Sequence, residues 1–238
     1  NTLKSADKLG IRLENDENIR ILCALPENVF LEVKLRKALE KNDAAMVAEV
    51  TVKIKASEME GFWGQFQLEN YPGLSKCLES IEKSAKVLSI GTSSNKNTAS
   101  SVNAAKLVWS NRVISEPLTK ILSNNNALAV KISKYILGYM RDRYYPHPLG
   151  CLNELVKVGC AFHDARDEIY CQLCKQLTRN ATVGYKFGWT AFNKCLEYFP
   201  PSTDFENYVE CFLRQNNRLD LVLLMHKAIY LGKTGQLL

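Results

Sequence analysis

Residues 165–178 read ARDEIYCQLCKQLT, a run of helix-forming residues without Gly or Pro. Ile169, Leu173 and Leu177 recur every fourth residue, which places them in one row on a helix. Asp164 is a residue type that caps helix starts, and Asp167 and Glu168 in the first turn favour the positive end of a helix dipole. The sequence therefore predicts a helix that starts at Ala165 and frays near Asn180.

The same segment contains Cys171-x-x-Cys174, with Cys160 and His163 upstream, which raises the question of a metal or redox site. A structural zinc site needs a second pair of ligands at matching distance, and a thioredoxin-type pair needs a preceding strand. The sequence supplies neither feature, so we interpret the two cysteines as core residues. No nucleophile motif or phosphate-binding Gly-rich loop is present either, and we therefore expect no catalytic residue, no metal, no cofactor and no enzyme activity.

Further helical patterns follow along the second half of the chain. A helix with Leu128 and Met140 on its apolar face should end near Arg143, before two prolines. The later helices are expected at four places: a short one over residues 152–159, one from Gly188 to Phe199, one capped by Ser202 or Thr203 with Glu206 in capping-box position, and one from Leu219 to Leu231 that closes at Gly232.

The first half of the chain is also mostly helical. Residues 29–60 predict a helical hairpin, because Asn42-Asp43 provides a turn and a cap between two apolar series. A third helix is expected after Pro72-Gly73, with its buried face running from Leu74 to Leu88. Residues 91–103 are mostly Gly, Ser, Thr and Asn, which indicates a loop or linker. No convincing alternating strand is found, so the predicted fold class is all-α.

Composition and charge narrow the function classes. The 238 residues are 46% hydrophobic and 24% charged, which is typical of a globular domain. The net charge of +6 favours an acidic partner but is too small for a dedicated nucleic-acid binder. Residues 1–110 carry 15 basic and 14 acidic side chains, whereas residues 111–238 carry 16 and 11. Any electrostatic role should therefore lie in the second half.

Cellular context is suggested by three further features. Eight scattered cysteines suit reduced thiols of a cytosolic protein better than a disulfide framework. The apolar stretch at residues 219–225 is too short to span a membrane. The chain lacks an initiating Met, so we expect a piece of a longer polypeptide.

Residues 166–176 resemble the signature helix of the myosin tail homology 4 domain, whose members carry Arg-Asp-Glu-Ile-Tyr-x-Gln-x-x-Lys-Gln. Three other segments resemble this family in order and spacing: Tyr135–Arg143, Gly188-Trp189 and Phe199–Ser202. Pro117–Leu122 resembles the family's entry segment. Arg141 departs from the family pattern, which usually has Gly before Asp-Arg. The resemblance covers residues 104–232. We therefore expect an accessory helical segment at 1–90, a linker at 91–103, the homology domain at 104–232, and a tail at 233–238 that leads to a missing downstream region.

The resemblance implies a non-catalytic helical bundle that binds microtubules or the tails of cargo and adaptor proteins. It also implies a cytoplasmic, cytoskeletal location and a parent chain that continues into a FERM or other domain. We expect Arg166 to be an internal ion-pair residue beside its acidic neighbours. The alternative is a structural scaffold segment of a motor, axonemal or Rho GTPase-activating protein, without a ligand of its own. The candidate partner-binding residues are Lys131, Lys134, Arg141, Arg143, Lys175, Arg179 and Lys186.

Overall fold

The computed structural model describes residues 27–75, 107–122 and 124–230, and within these ranges the protein is all-α, as predicted. The only strand-like feature there is one antiparallel bridge between Leu74 and Thr119. Short 3₁₀ turns occupy Trp63–Phe66, Leu68–Asn70 and Lys120–Leu122. The eight α-helices in this part of the chain are α1 (Glu27–Glu40), α2 (Ala44–Glu58), α3 (Asn126–Tyr139), α4 (Pro148–Ala161), α5 (Ala165–Leu177), α6 (Gly184–Tyr198), α7 (Thr203–Gln215) and α8 (Leu219–Tyr230).

The predicted N-terminal hairpin is confirmed, with its turn at the predicted residues. Asn42 adopts φ 50°, the left-handed conformation that Asn tolerates better than most residues. The Asp43 side chain accepts a hydrogen bond of 3.0 Å from the backbone N–H of Met46 and so caps α2. Turn chemistry that is local in sequence is thus sufficient to define this hairpin.

The hairpin and the segment after it pack directly against α7 and α8. Lys55 of α2 forms ion pairs with two glutamates of α7, and Arg214 donates to the Val52 carbonyl oxygen at 3.2 Å. The Tyr71 ring lies 4.5 Å from the Phe205 ring, measured between centroids. Val52, Leu68 and Leu74 join the same hydrophobic core as the later helices. Residues 27–75 therefore share a core with the second half of the chain.

Helix α5 lies at the centre of the bundle, and all of its residues except Arg166 are buried. It contacts α3, α4, α6 and α7. A close approach elsewhere in the bundle depends on Gly159 of α4, because a Cβ atom there would lie 2.1 Å from the Phe199 ring. A side chain at this position would push α4 away from the turn between α6 and α7.

Several helix ends differ from the sequence prediction. Helix α3 ends at Tyr139 and not near Arg143, since Arg141 takes φ 62° and ends the helix. Helix α6 begins four residues before the predicted Gly188, at Gly184. The Asp164 side chain makes no capping hydrogen bond.

At the start of α7, Ser202 is the cap, and its Oγ accepts from the Phe205 N–H at 3.3 Å. Glu206 is not a capping-box residue, because its carboxylate turns instead towards Lys55. Leu74 belongs to the bridge with Thr119 and not to a helix. The rest of that predicted helix, the linker at 91–103 and the end at Gly232 lie outside the described residues, so these predictions remain untested.

Within the described ranges, no helix is both long enough and apolar enough to cross a membrane.

Candidate interaction surface

The polar residues of the signature helix α5 bond to other parts of the bundle. The Glu168 carboxylate is fully buried and accepts four hydrogen bonds: from the N–H of Leu118 at 3.0 Å, from the N–H and Oγ1 of Thr119 at 2.8 and 2.6 Å, and from Nε2 of Gln172 at 2.8 Å. Burial raises the pKa of this carboxyl, and these hydrogen bonds oppose the rise. Glu168 thus anchors the segment before α3 to the centre of the bundle.

Asp167 and Arg166 have similar internal roles. The Asp167 carboxylate accepts from the Ser202 N–H at 2.8 Å and from its Oγ at 2.6 Å, which ties α5 to the turn before α7. Arg166 donates to the Gly159 carbonyl oxygen at 2.9 Å and lies over the Phe199 ring at 5.6 Å. No carboxylate in the described residues forms an ion pair with Arg166, so the predicted ion pair is wrong. The residue joins neighbouring elements through a carbonyl and a ring instead.

Lys175 is a candidate contact residue that the structure places in the interior of the bundle. It lies on α5 with 7% of its surface exposed, and its Nζ has no hydrogen-bond partner. Burial lowers the pKa of the ammonium group. The sequence pattern failed here because α5 is surrounded by other helices and has no solvent face. Lys175 cannot reach an external partner in this conformation.

Four other candidates are brought together at one end of the bundle, which we call the basic end: Arg141, Arg143, Arg179 and Lys186. The loop after α3 and the loop before α6 meet here, because the Thr182 hydroxyl lies 3.0 Å from Asp142 Oδ1 and shares its single proton between this oxygen and Asn180 Oδ1 at 2.7 Å. Arg141 also lies 4.7 Å from the centre of the Phe187 ring, beside Lys186. All four cations are exposed, and none has an ion-pair partner in the described ranges.

Both loops of the basic end are held firmly. Asp142 Oδ2 accepts from Trp109 Nε1 at 3.0 Å, so the only carboxylate of these two loops is already bonded on both oxygens. Gly184 allows the loops to touch, since a Cβ atom there would lie 2.8 Å from both the Met140 carbonyl oxygen and Asp142 Oδ1. The cations are therefore presented on a fixed frame with little opposing charge.

Lys131 and Lys134 are exposed and lie about three and two helical turns before Arg141. Both are on α3, and Lys131 lies 5.7 Å from the centre of the Tyr135 ring. Ten residues of helix and turn separate Lys131 from Arg141, which corresponds to roughly 15 Å along a helix axis. Sequence reasoning grouped all seven candidates together, whereas the structure brings only four of them to one surface.

A buried charged cluster joins α2, α7 and α8. Glu206, Glu210 and His226 are a metal-ligand type of set, with one ligand atom from each within 4.8 Å of the others. Lys55 Nζ, however, lies 2.9 Å from Glu210 Oε2 and also contacts Glu206, while Arg214 Nη2 lies 2.6 Å from Glu210 Oε1. These cations balance the two carboxylates, so we interpret the cluster as a structural clamp.

The Cys171 and Cys174 thiols are both completely buried within α5. Burial raises the pKa of each thiol well above its usual range, which disfavours the thiolate that metal binding requires. This environment suits the core role predicted for the pair.

The family model for the MyTH4 domain matches residues 152–229, which include α5 and the turn before α7. This part of the chain is similar to a MyTH4 domain. MyTH4 domains are non-catalytic protein-interaction domains of unconventional myosin tails, as the resemblance of α5 implied. In this chain, polar residues of the pattern that α5 shares with the MyTH4 signature bond to other parts of the bundle.

Several myosins are similar to this chain. The high molecular weight form of myosin-1 from Acanthamoeba castellanii is 28% identical over 227 residues, which is 94% of this chain and 14% of that protein. Unconventional myosin heavy chain 6 from Caenorhabditis elegans is 42% identical over 65 residues, covering 27% of this chain and 3% of that protein. The chain thus spans a small part of the length of these relatives.

Solved structures agree with the fold. The C-terminal MyTH4-FERM domain of human myosin 7b, determined with the harmonin-a PDZ3 domain, is 24% identical with a TM-score of 0.50, covering 53% of this chain and 29% of that one. The MyTH4-FERM MF2 domain of Dictyostelium discoideum myosin VII is 17% identical with the same TM-score, covering 73% and 34%. At these identities the likeness supports the helical fold alone.

Proposed function

We propose that this chain is a non-catalytic attachment module of a motor protein tail, and that its basic end binds the acidic surface of microtubules. The observation that carries the proposal is a group of four exposed cations without an ion-pair partner among the described residues: Arg141, Arg143 and Arg179 on two loops that are bonded to each other, and Lys186 in the first turn of α6. An acidic cargo or adaptor tail is the other partner with matching chemistry. Such surfaces steer charged partners together, and the attraction weakens as salt rises.

Backbone strain at the basic end supports a functional role. Arg141 has φ 62° and Arg179 has φ 55°, so both adopt the left-handed conformation directly after a helix. This conformation costs a non-glycine residue roughly 1–2 kcal/mol, and Gly or Asn is the usual occupant. Strained residues of this kind concentrate at functional sites. Two arginines occupy such positions on the same surface, which supports a requirement for positive charge there.

The wider context is proposed from the relatives. We propose that the parent protein is a cytoplasmic, cytoskeleton-associated motor of the unconventional myosin type, because the similar proteins are myosins. Both similar structures are MyTH4-FERM domains, which supports a FERM domain next to this one in the parent chain.

The division of the chain is also proposed. We assign the MyTH4 unit to residues 104–232, with the described residues 27–75 packed against it and a linker at 91–103. Residues 1–90 would be the accessory segment and 233–238 the tail. Lys55 forms an ion pair with Glu210 of α7, and the Tyr71 ring contacts the Phe205 ring of α7. These contacts support folding of residues 27–75 together with the MyTH4 unit.

A structural scaffold without a ligand is the second candidate function. It is favoured by the internal bonding of the polar residues of α5, among them Glu168, Asp167 and Gln172. In that case, the four cations would be ordinary hydrated surface charges that bind no partner.

Co-sedimentation with polymerised microtubules separates these two functions. The double variant Arg143→Glu/Lys186→Glu reverses two cations of the basic end, and Lys131→Glu/Lys134→Glu is a matched control of equal charge on α3. We expect the first variant to lose pelleting and the control to keep most of it. Equal binding by all three proteins would contradict a role for the basic end, and no pelleting of the wild type would favour a cargo tail or the scaffold.

A further inference from the structure

The basic end also carries large apolar side chains that point into solvent. Tyr144, in the loop after α3, is 93% exposed, and Val183, in the loop before α6, is 79% exposed. Leu149, in the first turn of α4 at the same end, is 72% exposed. These three are the most exposed large hydrophobic residues in the described part of the chain. Exposed apolar side chains beside cations indicate a partner that offers both apolar and anionic groups.

These apolar side chains are held on a rigid frame. The Thr182–Asp142 hydrogen bond joins the two loops next to Val183 and Tyr144. The hydrogen bond from Trp109 Nε1 to Asp142 also holds the loop after α3 against the segment that contains Trp109. Exposure of Tyr144 and Val183 is therefore a property of well-bonded loops that project from the end of the bundle.

Purely electrostatic attachment to a filament does not require apolar tips. Attachment to a bilayer is strengthened by such side chains, because Tyr places an amphipathic ring at the level of the lipid headgroups while basic residues meet anionic phosphates. Asp142, the only carboxylate of the two loops, carries one negative charge against the four cations, so the surface keeps a net positive charge. The chemistry of the surface matches an anionic bilayer in both its charge and its apolar content.

We propose that the basic end docks on the surface of an anionic phospholipid bilayer, with Tyr144, Val183 and Leu149 at the headgroup boundary and the four cations on lipid phosphates. The inference goes beyond the proposed function and rests on the same surface, though not on microtubules being the partner. Each cation near an anionic membrane contributes about fivefold in affinity. Bilayer and filament would compete for one surface.

Vesicle flotation tests the proposal, with vesicles of phosphatidylcholine alone or containing about one-fifth phosphatidylserine. The wild type should float only with the anionic vesicles. The variant Tyr144→Ser/Val183→Ser, which keeps every charge, should bind at least about tenfold more weakly, whereas Phe162→Ser, an exposed apolar residue outside these two loops, is the control and should bind like the wild type. Far-UV circular dichroism checks that each variant is folded.

The outcomes separate this proposal from the microtubule proposal. The Tyr144→Ser/Val183→Ser variant should still pellet with microtubules, because its cations are intact. Flotation without any microtubule pelleting would overturn the microtubule proposal and support this one. Absence of flotation with anionic vesicles, or equal flotation of the Ser variant and the wild type, would overturn the bilayer proposal. If the Ser variant lost microtubule pelleting and the wild type did not bind vesicles, the apolar side chains would belong to a protein interface. That result would also overturn the bilayer proposal.

Discussion

Glu168→Gln is the substitution that tests the architecture of the signature helix most sharply. The carboxylate is completely buried and receives two donors on each oxygen: Leu118 N–H and Gln172 Nε2 on Oε1, and Thr119 N–H and Oγ1 on Oε2. Glutamine has the same shape, but one of its two terminal groups is an NH₂ donor. In either orientation of the amide, a backbone N–H of residue 118 or 119 loses its acceptor.

The magnitude follows from these bonds. A buried donor left without a partner costs about 1–3 kcal/mol, and the remaining bonds lose the strength that the negative charge provides. Burial of the charge opposes this loss, since it raises the pKa of Glu168 and its removal relieves a desolvation cost. We therefore expect the free energy of unfolding at neutral pH to fall by about 2–4 kcal/mol. Domains typically have only about 5–15 kcal/mol in total.

Urea denaturation followed by far-UV circular dichroism measures this change. Glu154→Gln is the matched control, because Glu154 lies on α4 with a half-exposed side chain and pairs only with Lys157. The control should change the free energy of unfolding by less than about 0.5 kcal/mol. A Glu168→Gln protein that unfolds within about 0.5 kcal/mol of the wild type would refute the anchoring role of this carboxylate.

Three further predictions concern the same core. Lys175→Met should leave stability unchanged or raise it by about 1 kcal/mol in urea denaturation, because it removes a buried ammonium without a partner; a loss above about 2 kcal/mol would contradict this. Gly159→Ala should lower the melting temperature and cost about 1–3 kcal/mol, because the new methyl group meets the Phe199 ring; an unchanged melting temperature would argue against the close approach. Burial opposes ionisation of Glu210, but His226 and Lys55 lower its pKa from 4.5 to about 2. The ionised carboxylate therefore contributes about 3 kcal/mol to the free energy of unfolding. This contribution is present above pH 4.5 and is lost as the pH falls towards 2. Urea denaturation across this pH window should show a loss that Glu210→Gln lacks, and an equal pH dependence of the two proteins would refute it.

Local signals in the sequence predicted the helices well. The Asn42-Asp43 turn, the start of α5 at Ala165 and the Ser202 cap each depend on a few neighbouring residues, and each is found where expected. The ends of α3 and α6 were misplaced because they depend on contacts between loops. The left-handed backbone of Arg141 and the close packing of Gly184 cannot be derived from helical periodicity.

The candidate surface was only partly predictable, for a physical reason. A charged residue in a helix is normally interpreted as part of a solvent face, and this reasoning failed for Lys175 because α5 is enclosed on all sides. Arg143, in the loop after α3, and Lys186, in the first turn of α6, are exposed, and their role in binding stays a prediction. The exposed tips Tyr144 and Val183 were missed, although an aromatic pair between Arg143 and Pro146 was a signal that could have drawn attention to that loop.

Lysine labelling of the microtubule-bound protein, read by mass spectrometry against the free protein, tests the central claim most directly. Lys186 lies at the basic end, whereas Lys131 and Lys134 are exposed on α3 and serve as internal controls. The account predicts that microtubules protect Lys186 several-fold and leave Lys131 and Lys134 as reactive as in the free protein. Protection of the α3 lysines with Lys186 still fully reactive, or no protection of any of the three, would contradict it.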